Sequence, residues 1–260
     1  MVWATSKLLS QNTNRHIDDR FSRHGSSYGG WTICECATHF EKDGFFISAG
    51  VGEDITFDIE MLKISKLMAI LVDPTDRAEK HVGAYLSTTD QLMELPYVSG
   101  GTQPTSNYFS TENIRERMSF IKKALWIHDD GLNLFPPVNS SHVSFKLAQT
   151  QGVEKDAKNF PSVCIETILE TFDMNIPSSE IFGFILLKMD IEGSEFGVLR
   201  NLMKANIQPR QILVELDFMR EKNSFIQILR LKLLLWDLKK QNYRLAHVEK
   251  LNCLFLQERV

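Results

Sequence analysis

Two carboxylates, Asp190 and Glu192, lie at the point where an apolar run of the sequence ends. The run covers residues 182–190 and predicts a buried strand, so both side chains are expected at one edge of a sheet. Two neighbouring carboxylates raise the pKa of one of them, which suits a proton acceptor near neutral pH. We therefore predict a catalytic base here. The alternative is that Glu192 and Glu195 only favour the start of the helix that follows.

A glycine turn with two acids follows another apolar run, residues 44–50. Glycines let the backbone approach a ligand closely and turn into a helix. Ile55 stands where the dinucleotide fingerprint needs its last glycine, and two acids oppose a pyrophosphate at a helix start. The turn therefore favours a cofactor with a cationic centre, an ammonium or a sulfonium. Its predicted cofactor contacts are Gly50, Val51, Gly52, Glu53 and Asp54.

Asp73 and Pro74 close the next apolar run, residues 67–72, and both are predicted cofactor contacts. An acid about 20 residues after such glycines can accept hydrogen bonds from ribose hydroxyls. A glycine turn with acids and a ribose-binding acid together describe a pocket for S-adenosylmethionine. Each motif alone is weak, because an Asp-Pro pair is also an ordinary surface turn.

Four further side chains are candidates for the site. His142 begins a predicted strand and is a candidate catalytic base, although an isolated histidine is more often structural or exposed. Trp126 could stack on the adenine of the cofactor or fill the core. Tyr28 and Trp31 flank two glycines, so they are predicted either to close over a substrate or to anchor the N-terminal segment.

No metal site is predicted from ligand spacing. Cys34 and Cys36 are too close for a Cys-x-x-Cys pair, and four cysteines are too few for a disulfide scaffold, so we expect reduced thiols. A second hypothesis has Asp190 and Glu192 bind Mg²⁺, because hard carboxylate oxygens suit that ion.

Apolar runs alternate with segments of helical spacing and predict an α/β fold with an open, mostly parallel sheet. The predicted strands cover residues 44–50, 67–72, 121–127, 143–147, 182–190 and 211–217. The predicted helices begin near residues 55 and 196 and cover residues 225–240. Residues 243–248 and 253–257 predict a terminal antiparallel hairpin, which such sheets often carry. Ligands bind beyond the carboxyl ends of the strands in this architecture, where most of the candidate residues lie.

Residues 1–40 are polar and predict an N-terminal extension that packs on the core. Residues 41–260 predict one domain with an insertion at about 84–118. The 260 residues are 43% hydrophobic and 24% charged, which excludes a disordered protein. A net charge of −4 argues against nucleic acid as a partner. No apolar run approaches the roughly 20 residues that span a bilayer, so we expect a cytoplasmic protein with no membrane partner.

Several stretches resemble the FkbM family of S-adenosylmethionine-dependent methyltransferases. The most specific is Lys-Met-Asp-Ile-Glu-Gly-Ser-Glu at residues 188–195. Residues 49–58, 72–75 and 211–215 are similar to the family as well. The resemblance runs from about residue 28 to the C-terminus, whereas the glycine turn alone indicates only a class I methyltransferase.

The resemblance implies a Rossmann-like, seven-stranded sheet with helices on both faces that ends in an antiparallel strand. It implies that Gly50, Gly52 and Asp54 line the S-adenosylmethionine site and that Asp73 holds the ribose. It also implies methyl transfer, commonly to a hydroxyl of a sugar or natural product, so the expected partner is a small-molecule or glycan acceptor. Methylation of a peptide or amide nitrogen, a non-catalytic cofactor-binding protein and a homodimer all stay open.

Overall fold

A computed structural model describes most of the chain, with gaps between the described segments. These segments are residues 9–14, 16, 19–35, 44–87, 92–95, 106–109, 111–137, 145–147, 156–172, 183–220 and 224–258. The strands are β1 (Phe21–His24), β2 (Trp31–Cys34), β3 (Phe45–Ala49), β4 (Met68–Val72), β5 (Leu92–Leu95), β6 (Ser106–Phe109), β7 (Met118–Ile121), β8 (Ala124–Leu125), β9 (Leu132–Leu134), β10 (Lys158–Phe160), β11 (Ser162–Val163), β12 (Phe184–Met189), β13 (Gln211–Glu215), β14 (Tyr243–Glu249) and β15 (Asn252–Gln257). The α-helices are α1 (Thr56–Ile64), α2 (Asp76–Leu86), α3 (Glu112–Glu116), α4 (Ile165–Thr171), α5 (Glu195–Lys204) and α6 (Ser224–Lys240), and Asp217–Arg220 form a 3-10 turn.

Seven strands form the central sheet in the order β14-β15-β13-β12-β3-β4-β7. The five strands β13, β12, β3, β4 and β7 run parallel to one another, and β15 is antiparallel to both β13 and β14. The prediction of an α/β fold with a seven-stranded, mainly parallel sheet is therefore confirmed. The two C-terminal strands pair with each other, and β15 lies between β13 and β14 rather than at the edge.

The sheet has an apolar core on each face, because its central strands carry buried side chains on both sides. On β12, Leu187 and Met189 face one core and Leu186 faces the other. Helices α4, α5 and α6 contribute to the first core, and α1 and α2 to the second. Phe46 on β3 is fully buried, and burial of such a side chain contributes roughly 1.5–3 kcal/mol. The two cores hold the carboxyl ends of the strands in register.

The N-terminal hairpin of β1 and β2 packs on the second core. Trp31 and Ile33 of β2 are buried there. The side-chain amide of Gln211 on β13 donates to the carbonyl of Cys34 at 3.1 Å and accepts from its N–H at 2.9 Å. These hydrogen bonds tie the described part of the N-terminal segment to the sheet.

Residues 121–127 do not form the single strand that the apolar run predicts. β7 ends at Ile121, and a tight turn follows in which the Lys123 N–H donates to the Ile121 carbonyl at 2.9 Å. β8 is a separate short strand that pairs with β11 outside the main sheet. In the predicted strand at 143–147, only residues 145–147 are described, and Lys146 forms an isolated bridge with Phe135.

Two other observations bear on the sequence predictions. Cys34 is disulfide-bonded while Cys164 and Cys253 are free, so the expectation of reduced thiols is wrong for Cys34. Within the described residues, no helix combines the length and the apolar character needed to cross a membrane.

Candidate active site

A cleft of about 690 Å³ opens at the carboxyl ends of β3, β4, β12 and β13. Its volume lies within the range of about 300–1,000 Å³ that is usual for small-molecule sites. Its place in the sheet is where ligands bind in open parallel sheets. The cleft is lined by most of the predicted site residues, namely Tyr28, Trp31, Gly50, Val51, Gly52, Glu53, Asp54, Asp73, Pro74, Asp190 and Glu192.

The glycine turn requires glycine because of both its backbone angles and its close packing. Gly50 has a φ of 74° and Gly52 a φ of 53°, values that favour residues without a Cβ. A Cβ added at Gly50 would lie 1.7 Å from the carbonyl oxygen of Asp190. The Asp190 N–H in turn donates to the Ala49 carbonyl at 3.1 Å, which fixes the end of β12 against this turn.

The Asp73 carboxylate links the glycine turn to the end of β4. One oxygen accepts from the Gly52 N–H at 3.0 Å. The other accepts from the Thr75 N–H at 2.9 Å and from the Thr75 hydroxyl at 2.6 Å. Burial raises the pKa of Asp73, and the hydrogen bonds from Thr75 and Gly52 oppose that rise. A carboxylate has roughly four acceptor positions, so Asp73 retains capacity for a ligand hydroxyl.

Glu53 and Asp54 are engaged with other parts of the chain. Glu53 is buried and pairs with the Arg77 guanidinium of α2. The Asp54 carboxylate accepts from the Ser26 hydroxyl at 2.6 Å and from the Thr56 N–H at 3.0 Å. The turn therefore presents less free negative charge to a ligand than its sequence suggests. Asp54 also fastens the N-terminal segment over the cleft.

The opposite end of the cleft is strongly acidic. One carboxylate oxygen from each of Asp190, Glu192 and Asp217 lies within 4.8 Å of the others, an arrangement that could hold a divalent metal ion. Glu215 lies at the end of β13 and pairs with Arg220, whose Nη1 lies 2.6 Å from Asp217 Oδ1. Arg220 therefore compensates the charges of Glu215 and Asp217, and Lys188 offsets more of the charge of Asp190 than Arg220 does.

Burial and mutual repulsion raise the pKa values of this acidic end. Burial, followed by the charge of Glu215, raises the pKa of Asp190 to about 7. Burial together with Glu215 and Glu192 raises the pKa of Asp217 to about 9. A carboxyl group with a pKa near neutrality can take up and release a proton under working conditions, as a general base must.

Glu192 and Glu195 have different surroundings although they lie on the same turn. Glu192 lines the cleft at a φ of 53°, a left-handed conformation that is costly for a side chain with a Cβ, and its carboxylate lies 3.6 Å from the Lys146 ammonium. Glu195 is fully buried in the first turn of α5, accepts from the Gly193 N–H at 2.9 Å, and has a pKa raised by burial to about 8. Glu195 therefore matches the interpretation as a helix-start residue.

The remaining predicted residues fall in three places. Tyr28 is exposed at the rim of the cleft and Trp31 is buried in its wall. Trp126 lies outside the described lining: its indole N–H donates to His128 at 3.1 Å, and a Cβ added at Gly197 of α5 would lie 3.0 Å from its ring. The structure therefore does not bring Trp126 together with the other predicted cofactor contacts. His142 lies outside the described residues.

Sequence reasoning missed several side chains of the cleft and its supports. Glu215 and Asp217 lie at the end of the predicted strand at residues 211–217, so the argument from strand ends could have found them. Lys188 lies within β12 and lines the cleft. It was not predicted as a site residue because the surrounding sequence is an apolar run. Arg77 carries no local signal, because its partner Glu53 lies 24 residues away. Arg220 follows its partners Glu215 and Asp217 closely in the chain, but nothing in its own sequence position marks it as their partner.

A glycine turn and a strand-end acid beside a seven-stranded, mainly parallel sheet are typical of class I methyltransferases. The family model described as "Methyltransferase FkbM domain" matches residues 46–245. Because this match covers more than half of the 260 residues, the chain belongs to the FkbM methyltransferase family, and the predicted resemblance is confirmed. Comparisons with curated proteins and with solved structures give no match.

Proposed function

We propose that the protein is an S-adenosylmethionine-dependent methyltransferase that methylates a hydroxyl group of a sugar or natural product. One observation carries this proposal: a single cleft joins a glycine turn tied to Asp73 with the half-buried carboxyl group of Asp190, whose pKa is raised. The first part suits an adenosine-containing cofactor, and the second suits a hydroxyl that must lose a proton.

The residues at the glycine turn fit S-adenosylmethionine better than a nucleotide phosphate. Gly50 and Gly52 keep the backbone open to a ligand, and Asp73 retains acceptor capacity for a ribose hydroxyl. Arg77, a cation that contacts the turn, already pairs with Glu53. The bound cofactor supplies a methyl group on a sulfonium, and the cleft aligns the acceptor with it while excluding water.

Asp190 is the proposed catalytic base. Its carboxyl group lies at the carboxyl end of β12, and burial raises its pKa to about 7. Above that pH the ionised group can accept the proton of an acceptor hydroxyl as the oxygen becomes a nucleophile. Glu192 lines the same wall and raises the pKa of Asp190 through its negative charge.

The acidic end also supports a metal-assisted form of the same reaction. Asp190, Glu192 and Asp217 could hold Mg²⁺, which would orient the acceptor hydroxyl through carboxylate coordination. Assays with EDTA and with added Mg²⁺ separate the two forms. Activity that survives EDTA supports Asp190 as a free base, and activity that requires added Mg²⁺ supports the metal site.

Isothermal titration calorimetry tests the cofactor. We expect S-adenosylmethionine and S-adenosylhomocysteine to bind with one site per chain and NAD to give no heat of binding. Circular dichroism before the titration shows whether the protein is folded. A folded protein that binds neither S-adenosyl compound contradicts the proposal.

An acceptor screen with a methyl-labelled donor tests the reaction. The panel contains sugars and polyhydroxylated natural products on one side and peptides and amides on the other. Label on a hydroxyl supports the proposal, and label on nitrogen alone replaces O-methylation by N-methylation. Cofactor binding without transfer to any acceptor favours a non-catalytic binding protein.

A further inference from the structure

Lys188 is a buried cation in the middle of the central sheet. It is 3% exposed, lies on β12 between Ser48 of β3 and Leu213 of β13, and lines the cleft. Among the described residues, no carboxylate forms an ion pair with Lys188, which would require an oxygen within 4.0 Å of the ammonium nitrogen. A buried ammonium costs several kcal/mol when its charge is not matched by a partner. A residue of this kind in the wall of a cleft points to an anionic ligand group.

The ammonium of Lys188 reaches the glycine turn. Its Nζ lies 3.4 Å from the Gly50 carbonyl oxygen and 5.8 Å from the centre of the Trp31 ring. An ammonium carries three N–H donors, and the contact with Gly50 is long for a hydrogen bond. Three carboxylates, those of Asp58 on α1, Asp73 and Asp190, interact electrostatically with Lys188 and offset its charge, but none of them forms an ion pair or hydrogen bond with its ammonium. The ammonium therefore keeps donors available toward the cleft.

The other cationic side chains of the cleft already have carboxylate partners. Lys146 lies 3.6 Å from Glu192, and Arg220 pairs with Glu215 and Asp217 at the acidic end. Lys188 is thus the described cleft lysine or arginine best placed to meet an anionic group of a ligand.

We propose that the Lys188 ammonium binds the α-carboxylate of the methionyl part of the cofactor, an inference that rests on the proposed function. The order of the strands supports it, because Asp73 follows β4, the glycine turn follows β3, and Lys188 lies on β12. Two strand spacings separate β4 from β12, a span of roughly 10 Å. A ligand with its ribose at Asp73 and its carboxylate at Lys188 would cross the glycine turn in between.

Two ligands that differ only in the carboxylate test this assignment. They are S-adenosylmethionine and decarboxylated S-adenosylmethionine, and the measurement is the ratio of their dissociation constants by calorimetry. We expect the unaltered protein to bind S-adenosylmethionine at least about tenfold more tightly, as a charge-assisted hydrogen bond provides. A ratio near one in the unaltered protein overturns the assignment without any variant.

Variants assign the effect to Lys188. Lys188→Met keeps a long unbranched side chain in the buried channel and removes the charge, so we expect the ratio to fall to within about twofold of one. Lys146→Met is the matched control, a second lysine of the cleft, and should keep the ratio of the unaltered protein. If Lys188→Met does not fold by circular dichroism, Lys188→Gln replaces it in the same measurement.

The outcomes separate this inference from the proposed function. A protein that binds both ligands, with a ratio that Lys188→Met leaves unchanged, overturns the role of Lys188 while cofactor binding stands. A folded protein that binds neither ligand overturns the proposed function and this inference together.

Discussion

The two ends of the cleft, the glycine turn and the acidic end, carry similar numbers of acids but differ in how the protein compensates their charges. At the glycine turn, Asp73 accepts hydrogen bonds from Gly52 and Thr75, and Glu53 pairs with Arg77. At the acidic end, four clustered acids share two ion-pair partners, Arg220 and Lys146; the acids are Asp190, Glu192, Glu215 and Asp217. The pKa of Asp190 is raised to about 7 as a result of burial and this repulsion.

This difference separates binding from chemistry. A turn whose polar groups are matched by the protein itself is organised before a ligand arrives, so binding costs little rearrangement. Carboxylates whose repulsion is only partly compensated have raised pKa values and can accept a proton or a metal ion. We therefore expect changes at the turn to affect stability and cofactor affinity, and changes at the acidic end to affect turnover and pH dependence.

The largest effect is expected from Gly50→Ala, which disrupts the packing of the glycine turn. The new Cβ would lie 1.7 Å from the Asp190 carbonyl oxygen at a φ that disfavours alanine. We expect the free energy of unfolding to fall by roughly 3 kcal/mol or more and cofactor binding to be lost. Gly83→Ala is the control, because a Cβ there has no atom within 4 Å, and it should stabilise α2 by about 0.5–1 kcal/mol. Equal unfolding midpoints of Gly50→Ala and the unaltered protein in urea would contradict the close packing.

Asp190→Asn should distinguish the roles of the two ends most clearly, because it should lower turnover and leave cofactor affinity nearly unchanged. We expect turnover to fall by about 100-fold or more, because an amide cannot accept the proton, while cofactor affinity changes by less than about threefold. Since only the ionised carboxylate of the proposed base can accept a proton, turnover of the unaltered protein should rise with pH through about 7, and the variant should lose that rise. A pH–rate profile with the same midpoint in both proteins would assign the base to another group.

Asp73→Asn tests the proposed ribose contact beside the glycine turn. The amide keeps the size of the side chain and weakens its acceptor strength, so we expect cofactor affinity to fall by about tenfold with little change in turnover at saturation. Asp76→Asn, an exposed acid of α2 that pairs with Lys122, is the control and should leave affinity unchanged. Equal affinities of Asp73→Asn and the control in calorimetry would remove Asp73 from the cofactor site.

The smallest effect concerns stability against pH and the buried acid Glu195. Burial raises its pKa to about 8 in the folded protein, so the folded state holds the proton more tightly than the unfolded state. Its contribution to stability is therefore complete below the ordinary pKa of about 4.5 and is lost as the pH rises through about 8. We expect a loss on the order of 1 kcal/mol between pH 7 and 9 in urea unfolding, reduced in Glu195→Gln. An unchanged slope in the variant would mean that other groups carry the pH dependence.

Much of the fold could be predicted because its signals are local. Buried strands such as β3 and β12 are continuous apolar runs, and the turn after β3 is marked by Gly50 and Gly52. The run at residues 121–127 failed as one strand because a turn at Lys123 interrupts it, and apolar composition does not reveal such a turn. Trp126 shows the same limit, since an aromatic side chain that packs on a helix has the same composition signal as one that stacks on a ligand.

The sequence by itself determined the α/β architecture, the glycine turn, the strand-end acids Asp73 and Asp190, and the family. These features depend on backbone freedom and on the periodicity of apolar residues, which are properties of neighbouring residues. Only the tertiary structure decided that Glu53 meets Arg77 while Asp190 meets other carboxylates. Packing of helices and strands brings residues distant in the chain together, and the partner that each buried charge finds there sets its pKa and its chemical use.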